Sequence, residues 1–209
     1  MNITKSGKKH LGAAIGQMDF RQQFVDGLVK DWVAEIEALS SVASFEPHAA
    51  YTAFTNCIRH KYTYFMRTIP DIGELLKPLE NVIRLKLLPA LTEGRACSDD
   101  ERTLLSLPVR LGGLGIIDPS KISDDEFENS CKMTKDLTSA IRSQQSEIPD
   151  DLDDMSRLYK LEIRSERRVK QLEVLEDLKL RMSSDQVRVN EIARESDSSA
   201  FGGQRICAQ

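Results

Sequence analysis

The stretch FRQQFVDGLVKDWVAEIEAL, residues 20–39, decides the fold class, because its apolar side chains recur every three or four positions. The stripe consists of Phe20, Phe24, Leu28, Trp32, Ile36 and Leu39, widened by Val25, Val29 and Val33. Charged side chains such as Lys30 and Glu35 fall largely on the other side, as in an amphipathic helix. We therefore predict a helix over residues 20–39 whose stripe lies in the core.

A second helix is predicted from Pro47 to about Thr68. Proline is well tolerated in a first helical turn, and the helix should end before Pro70 because the residue preceding a proline avoids helical geometry. A third helix should begin at Asp71, whose side chain would cap the turn of Glu74, and it should bend or restart where a proline follows.

Two Ser-Xaa-Xaa-Glu capping boxes predict the next helix starts. They begin at Ser98 and at Ser123, and the second helix should continue to about Arg142. The adjacent acids, Asp99-Asp100 and Asp124-Asp125, are therefore interpreted as first-turn acids that favour the positive end of the helix dipole, rather than as metal ligands.

The fold class predicted from these patterns is all-α: an irregular helical bundle with a long charged C-terminal helix. One short N-terminal strand is compatible with the sequence, and no partner strand is recognised for it. The predicted organisation is an extended segment 1–16, a helical region 17–143, a linker 144–151, a long charged helix 152–195 and a disordered tail 196–209.

Charge is distributed unevenly along the chain. The net charge of −4 excludes a globally basic nucleic-acid binder, but residues 1–95 carry +2 and residues 96–209 carry −6. A polyanion should therefore prefer the first part of the chain. Neither a secretory signal nor a membrane span is recognised, and the four scattered cysteines are typical of a reducing compartment. We expect an intracellular protein, in the cytoplasm or nucleus, that does not bind a membrane.

One window, residues 47–70, combines cations with aromatic side chains and contains no acid. Arg59, Lys61 and Arg67 could contact phosphates, and Tyr62 and Tyr64 could pack near sugars or bases. The other interpretation is a half-buried helix whose aromatic side chains are core and whose cations are solvated. Both interpretations stay open from residue chemistry alone. The sequence predicts no catalytic residue, no metal site and no cofactor.

The C-terminal helix has alternating charges and a partial heptad pattern. Leu158, Leu161, Leu172, Leu175, Met182 and Val189 fit the apolar positions of one register, but that register also places Ser165, Arg168, Lys179 and Gln186 on the seam. The pattern allows a coiled coil and favours a solvated helix that docks by one edge.

Four strings, in order along the chain, resemble reverse transcriptases of invertebrate retroelements. They are KHLGAAIG (9–16), PHAAYTAF (47–54), YTYFMRTIPD (62–71) and LPVRLGGLGI (107–116). The resemblance covers roughly residues 3–135 and implies the region after the catalytic palm, with His10–Gly16 at the primer grip and Phe20 to about Leu91 as the helical thumb. The paired aspartates of the family's Tyr-Xaa-Asp-Asp-like motif have no counterpart among these strings.

Two functions follow as alternatives. The first is a truncated reverse-transcriptase-like protein, without polymerase activity of its own, that binds an RNA–DNA duplex weakly through Arg59, Lys61, Tyr62, Tyr64 and Arg67. The second is a helical interaction or scaffold protein that forms a homo-oligomer through exposed apolar faces and the long helix.

Overall fold

The computed structural model describes residues 6–92, 94–144 and 152–192, and these residues are mostly helical. The predicted all-α class is confirmed, with a small hairpin added at the start. In chain order the elements are β1 (Gly7–His10), β2 (Ala13–Gly16), α1 (Met18–Ala43), α2 (Pro47–Ala53), α3 (Arg59–Thr68), α4 (Lys77–Val82), α5 (Leu88–Leu91), α6 (Asp99–Ser106), α7 (Pro119–Arg142) and α8 (Leu152–Arg181).

β1 and β2 pair with each other, so the N-terminal strand does have a partner. The strands are antiparallel, with Gly7 opposite Gly16. Leu11 and Gly12 form the turn with φ angles of 47° and 89°. A type I′ turn requires positive φ at both central positions, and a leucine at the first of them is not the usual signal. The sequence prediction missed the second strand for this reason.

Helix α1 extends the predicted 20–39 segment at both ends. Its large buried side chains are Val25, Val29, Trp32 and Ile36, and each of them is at most 4% exposed. Phe24 and other members of the predicted stripe lie at the border of this face, half-buried. The helix is therefore the central packing element of its part of the chain, as predicted.

The predicted helix from Pro47 to Thr68 is continuous but not uniform. Residues Phe54–Ile58 form a π-helical turn between α2 and α3. Pro47 lies in the first turn of α2, as predicted, and the side chains of Phe54 and Tyr62 are fully buried. A π turn is wider than an α-helical turn and contains about one more residue. No local sequence signal indicates its presence.

Two of the three predicted caps are wrong. Asp71 has a φ of 59° and caps nothing; a short 3-10 turn at Glu74–Leu76 leads into α4 instead. Helix α7 begins at Pro119, and Asp118 is its N-cap, so Ser123 is an interior residue that is only 1% exposed. Asp118, rather than Ser123, takes the N-cap position, because the proline that follows it is pre-organised for the first helical turn.

The capping box at Ser98 is confirmed. The Ser98 hydroxyl accepts a hydrogen bond from the Glu101 amide at 3.2 Å, and the Glu101 carboxylate accepts one from the Ser98 amide at 3.0 Å. Asp99 and Asp100 occupy the first turn of α6, where their charges favour the helix dipole.

The chain forms two compact units. The first comprises Met1–Ala96 with Asp118–Ile163, and the second comprises Cys97–Ile117 with Arg164–Gln209. The second unit has its own apolar cluster, made of Leu107, Leu111, Leu175 and Leu178 with Leu104 and Met182 packed against it. The guanidinium of buried Arg102 donates to the Ile116 carbonyl at 2.7 Å and so holds the loop after α6 in the same unit.

The predicted helix 152–195 is interrupted at residues 182–183. Helix α8 ends at Arg181, and a separate helical segment covers 184–192. Ser183 and Gln186 form a reciprocal capping box, with the Gln186 amide donating to the Ser183 hydroxyl at 3.3 Å. Most of the predicted linker 144–151 and all of the tail 196–209 lie outside the described residues. Within the described ranges, no helix is long and apolar enough to cross a membrane.

Candidate nucleic-acid interface

Tyr62 of α3 lies in the core of the first unit rather than on its surface. Its side chain is fully buried, and its ring centroid lies 6.2 Å from that of Trp32. Phe65 packs on the same tryptophan at 5.3 Å and on Phe24 at 6.0 Å. The predicted contact between Tyr62 and a sugar therefore has no surface to occur on, and Phe24 and Trp32, which belong to the predicted core stripe, pack against α3.

Lys61 is exposed, as the prediction requires, but it is paired. Its ammonium lies 2.6 and 2.7 Å from the two carboxylate oxygens of Glu35 on α1. Both side chains remain substantially exposed. An exposed pair contributes about 0–1 kcal/mol, so a phosphate can compete with Glu35 for this lysine at little cost.

Arg67 has a deeper attachment than Lys61. Its Nε donates to Glu126 of α7 at 2.8 Å, and the carboxylate of Glu126 is almost completely buried while Arg67 is half exposed. A buried carboxylate needs its cation, because an uncompensated charge in the interior is costly. Arg67 therefore joins α3 to α7, while about half of its side chain stays exposed to solvent.

Arg59 begins α3 and is partly exposed, and His60 next to it is exposed. Tyr64 follows one turn later on the outer side of the helix. Its hydroxyl donates to the carbonyl oxygen of Leu11 in the hairpin turn, and its ring packs edge-on against Phe65 with centroids 5.1 Å apart. Since 42% of Tyr64 is exposed, part of the ring stays open to solvent beside the hairpin.

The hairpin contributes cations that the sequence analysis did not assign to the site. Lys8, Lys9 and His10 are all exposed on β1. The ammonium of Lys9 lies 5.7 Å from the ring centroid of Phe24, a cation–π arrangement that holds the lysine against α1. The structure shows no ion pair between Lys8 or Lys9 and another described residue. The sequence signal that could have assigned these cations to the site was the Lys-Lys-His run itself. It became informative only once the hairpin was known to fold against α1.

The exposed or partly exposed cationic and aromatic side chains of the hairpin and of α3 are called together the hairpin–α3 surface: Lys8, Lys9, His10, Arg59, His60, Lys61 and Tyr64. The Tyr64–Leu11 hydrogen bond and the aromatic contacts of Phe24 and Phe65 connect its two halves. Glycine is required at position 7, because a Cβ there would meet the ring of Phe20 at 2.4 Å. The arrangement offers positive charge and one open aromatic ring, which suit a phosphate backbone.

The glycine-rich segment within residues 107–116 has a structural role in the fold. Gly112, with a φ of 83°, ends the 3-10 turn Val109–Leu111, and the side chain of Asn190 packs so closely that a Cβ at Gly112 would lie 2.0 Å from its nitrogen. Among residues 6–92, 94–144 and 152–192, no group of three or more His, Cys, Asp or Glu side chains is placed to hold a metal ion.

One titratable group away from this surface is perturbed. The pKa of Tyr159 on α8 is raised above its ordinary value, first because its hydroxyl donates a hydrogen bond to Asp136 of α7, and then because of burial and the negative charges of Asp136 and Glu162. Lys132 opposes the shift, and its ammonium lies 3.1 Å from Glu162. The cluster joins α7 to the start of α8 within the first unit.

Comparison of the chain with protein-family models, with curated proteins and with solved structures finds no match. The geometry of the hairpin–α3 surface is therefore the basis for the functional proposal that follows.

Proposed function

We propose that the chain is a thumb-type helical protein of the retroelement reverse-transcriptase kind that binds an RNA–DNA duplex and has no polymerase activity of its own. The observation that carries the proposal is the hydrogen bond from Tyr64 to Leu11. It joins the hairpin to the outer side of α3, so that the two regions that the resemblance assigns to the duplex are in direct contact.

Electrostatics supports a polyanionic partner. Lys8 and Lys9 project from a two-stranded hairpin anchored on α1, so their charges are positioned without an acid drawing them away. Lys61 adds a third cation that can exchange its exposed carboxylate partner for a phosphate. The affinity should be low because few cations are available, and it should decrease strongly with salt because each phosphate contact releases counterions.

The open ring of Tyr64 supports a nucleic-acid partner over other polyanions. A partly exposed ring next to lysines provides a stacking surface for a sugar or base, and this contact is tolerant of sequence. Tyr62, buried on the inner side of α3, holds this helix against α1 and acts on the surface only through packing. The revised contact set is therefore Lys8, Lys9, Arg59, Lys61 and Tyr64, with Arg67 at its edge.

The test is a fluorescence-anisotropy titration of a labelled RNA–DNA hybrid at several salt concentrations. For the variant Lys8→Ala with Lys9→Ala, the slope of log affinity against log salt should decrease in magnitude by about 2, because two phosphate contacts are lost. The matched control is Lys30→Ala with Lys135→Ala, which removes two exposed lysines of the same unit away from the hairpin.

The outcomes separate the parts of the proposal. An unchanged slope for the Lys8 and Lys9 variant removes the hairpin from the interface. Adding Arg59→Ala and Lys61→Ala should weaken binding further, and unchanged affinity would remove α3 as well. Absence of binding at about 50 mM salt, where electrostatic contacts are strongest, would contradict the proposed function.

A further inference from the structure

Helix α8 carries a row of apolar side chains that nothing in the described structure covers. They lie 40% to 87% exposed, and they are Leu158, Leu161, Val169, Leu172 and Leu180. Successive residues of an α-helix are rotated by about 100°, so these five, with Ser165 and Glu176 between them, fall within an arc of about 100°. We call these seven residues the outer stripe of α8.

The outer stripe differs from the faces by which α8 packs. The buried side chains of this helix are Ile163, Leu175 and Leu178, each at most 8% exposed, and all three lie outside the arc of the outer stripe. Leu175 and Leu178 belong to the apolar cluster of the second unit. The same helix thus has one apolar face in use and a second one open.

The two borders of the outer stripe carry opposite charges. Acids follow one border and bases follow the other. The acidic border consists of Glu162, Glu166, Glu173 and Asp177, and the basic border consists of Arg157, Arg164, Arg168 and Lys179. Seven of these eight side chains are exposed, and Lys179 is half-buried. The separation of charge runs along most of the helix.

This charge pattern selects a partner and a direction. When two identical helices pair in parallel about a shared two-fold axis, the acidic border of each meets the basic border of the other. An antiparallel pair would place acid against acid and base against base, which is destabilising. We propose that the outer stripe of α8 binds a second copy of this chain, with the two α8 helices parallel and in register.

The spacing of the apolar residues explains why the heptad interpretation fails. Leu158, Val169 and Leu180 are separated by eleven residues each, and so are Leu161 and Leu172. An eleven-residue repeat corresponds to about 3.67 residues per turn and to a nearly straight or slightly right-handed pair. The heptad register instead places Leu175 and Met182 on the seam, although both pack inside the second unit.

Glu176 is the one acid within the outer stripe, and it limits the strength of the pair. Lys179 holds its carboxylate at 3.1 Å, and in a parallel pair each Glu176 faces its own copy. The variant Glu176→Leu should therefore lower the dimer dissociation constant by about tenfold or more, because it removes that repulsion and adds apolar contact. Since this variant gains association, its result cannot be confused with failure to fold.

Sedimentation equilibrium of the full chain over a range of concentrations measures the pair. Val169→Gln with Leu180→Gln should raise the dissociation constant by about tenfold or more, whereas Val189→Gln, an exposed residue of the 184–192 segment, should leave it unchanged. A wild-type mass that stays monomeric at all concentrations, together with no gain from Glu176→Leu, would overturn the proposal.

Disulfide cross-linking tests the direction. In a background where Cys57, Cys97, Cys131 and Cys207 are serine, Ser165→Cys lies at the centre of the outer stripe, and Arg167→Cys lies on the opposite side of the helix. A parallel pair brings the two Ser165→Cys thiols together, so this variant should cross-link at least about tenfold faster than the control. Equal rates would overturn the parallel arrangement.

Discussion

Replacing Tyr64 by phenylalanine should loosen the hairpin while leaving the helices intact. The change removes only the hydroxyl that donates to the Leu11 carbonyl and preserves the ring contact with Phe65. A hydrogen bond of this kind contributes about 1 kcal/mol, and water can replace part of it because Tyr64 is 42% exposed. The equilibrium for opening the hairpin should therefore shift by up to about fivefold.

Hydrogen exchange of the backbone amides provides the assay. Amides of β1 and β2 should exchange up to about fivefold faster in Tyr64→Phe, while those of α1 keep their protection, because the hairpin opens locally. Tyr159→Phe is the matched control, since it deletes a hydroxyl bonded to Asp136 far from the hairpin in sequence. The reasoning is refuted if the hairpin amides are unaffected, or if protection decreases equally throughout α1.

Two further predictions concern stability. Arg67→Ala should lower the free energy of unfolding, measured with urea, by about 1–2 kcal/mol, because it removes a cation from nearly buried Glu126. The double variant Arg67→Ala with Glu126→Gln should recover part of this loss. A double variant less stable than the single one would contradict the reasoning. The raised pKa of Tyr159 means that its stabilisation is complete below about pH 10 and is lost as the pH rises through the higher folded pKa. Unfolding free energies of wild type and Tyr159→Phe should therefore converge above about pH 10, and a constant difference between them would exclude the linkage.

Helix existence was predictable from the sequence wherever one physical signal dominated. The apolar stripe around Trp32, the Pro47 start and the Ser98 capping box all correspond to observed elements. Each of these signals is local: a repeat of three or four residues, or a side chain that satisfies a free amide within its own turn.

The prediction of helix starts was wrong where two local signals competed. Ser123 had the capping spacing, but Asp118-Pro119 came first and lengthened α7 by five residues. The break after Arg181 had a readable signal as well, since Ser183 and Gln186 form the reciprocal box that ends the long helix and starts the next segment. A continuous charge pattern concealed it.

The candidate site was predictable in composition but not in arrangement. The sequence indicates that the 47–70 window is cationic and aromatic, yet it does not reveal that Tyr62 points inward or that acids on other helices hold Lys61 and Arg67. Those acids, Glu35 and Glu126, are distant in sequence. Likewise, Lys8 and Lys9 join the surface only because an unusual Leu-Gly turn folds the hairpin back onto α1.

The π-helical turn at Phe54–Ile58 has a consequence for how this chain tolerates changes in length. Such turns contain one residue more than a regular helix needs, so losing a residue there would restore ordinary hydrogen bonding along the whole rod. Because the wide turn absorbs the extra residue, the helix on either side keeps the phase of a regular helix one residue shorter, so this deletion should leave Tyr64 near Leu11 and Tyr62 near Trp32. One residue should therefore be lost more easily within Phe54–Ile58 than within α3, where a deletion would rotate all later residues of the helix by about 100° and separate Tyr64 from Leu11.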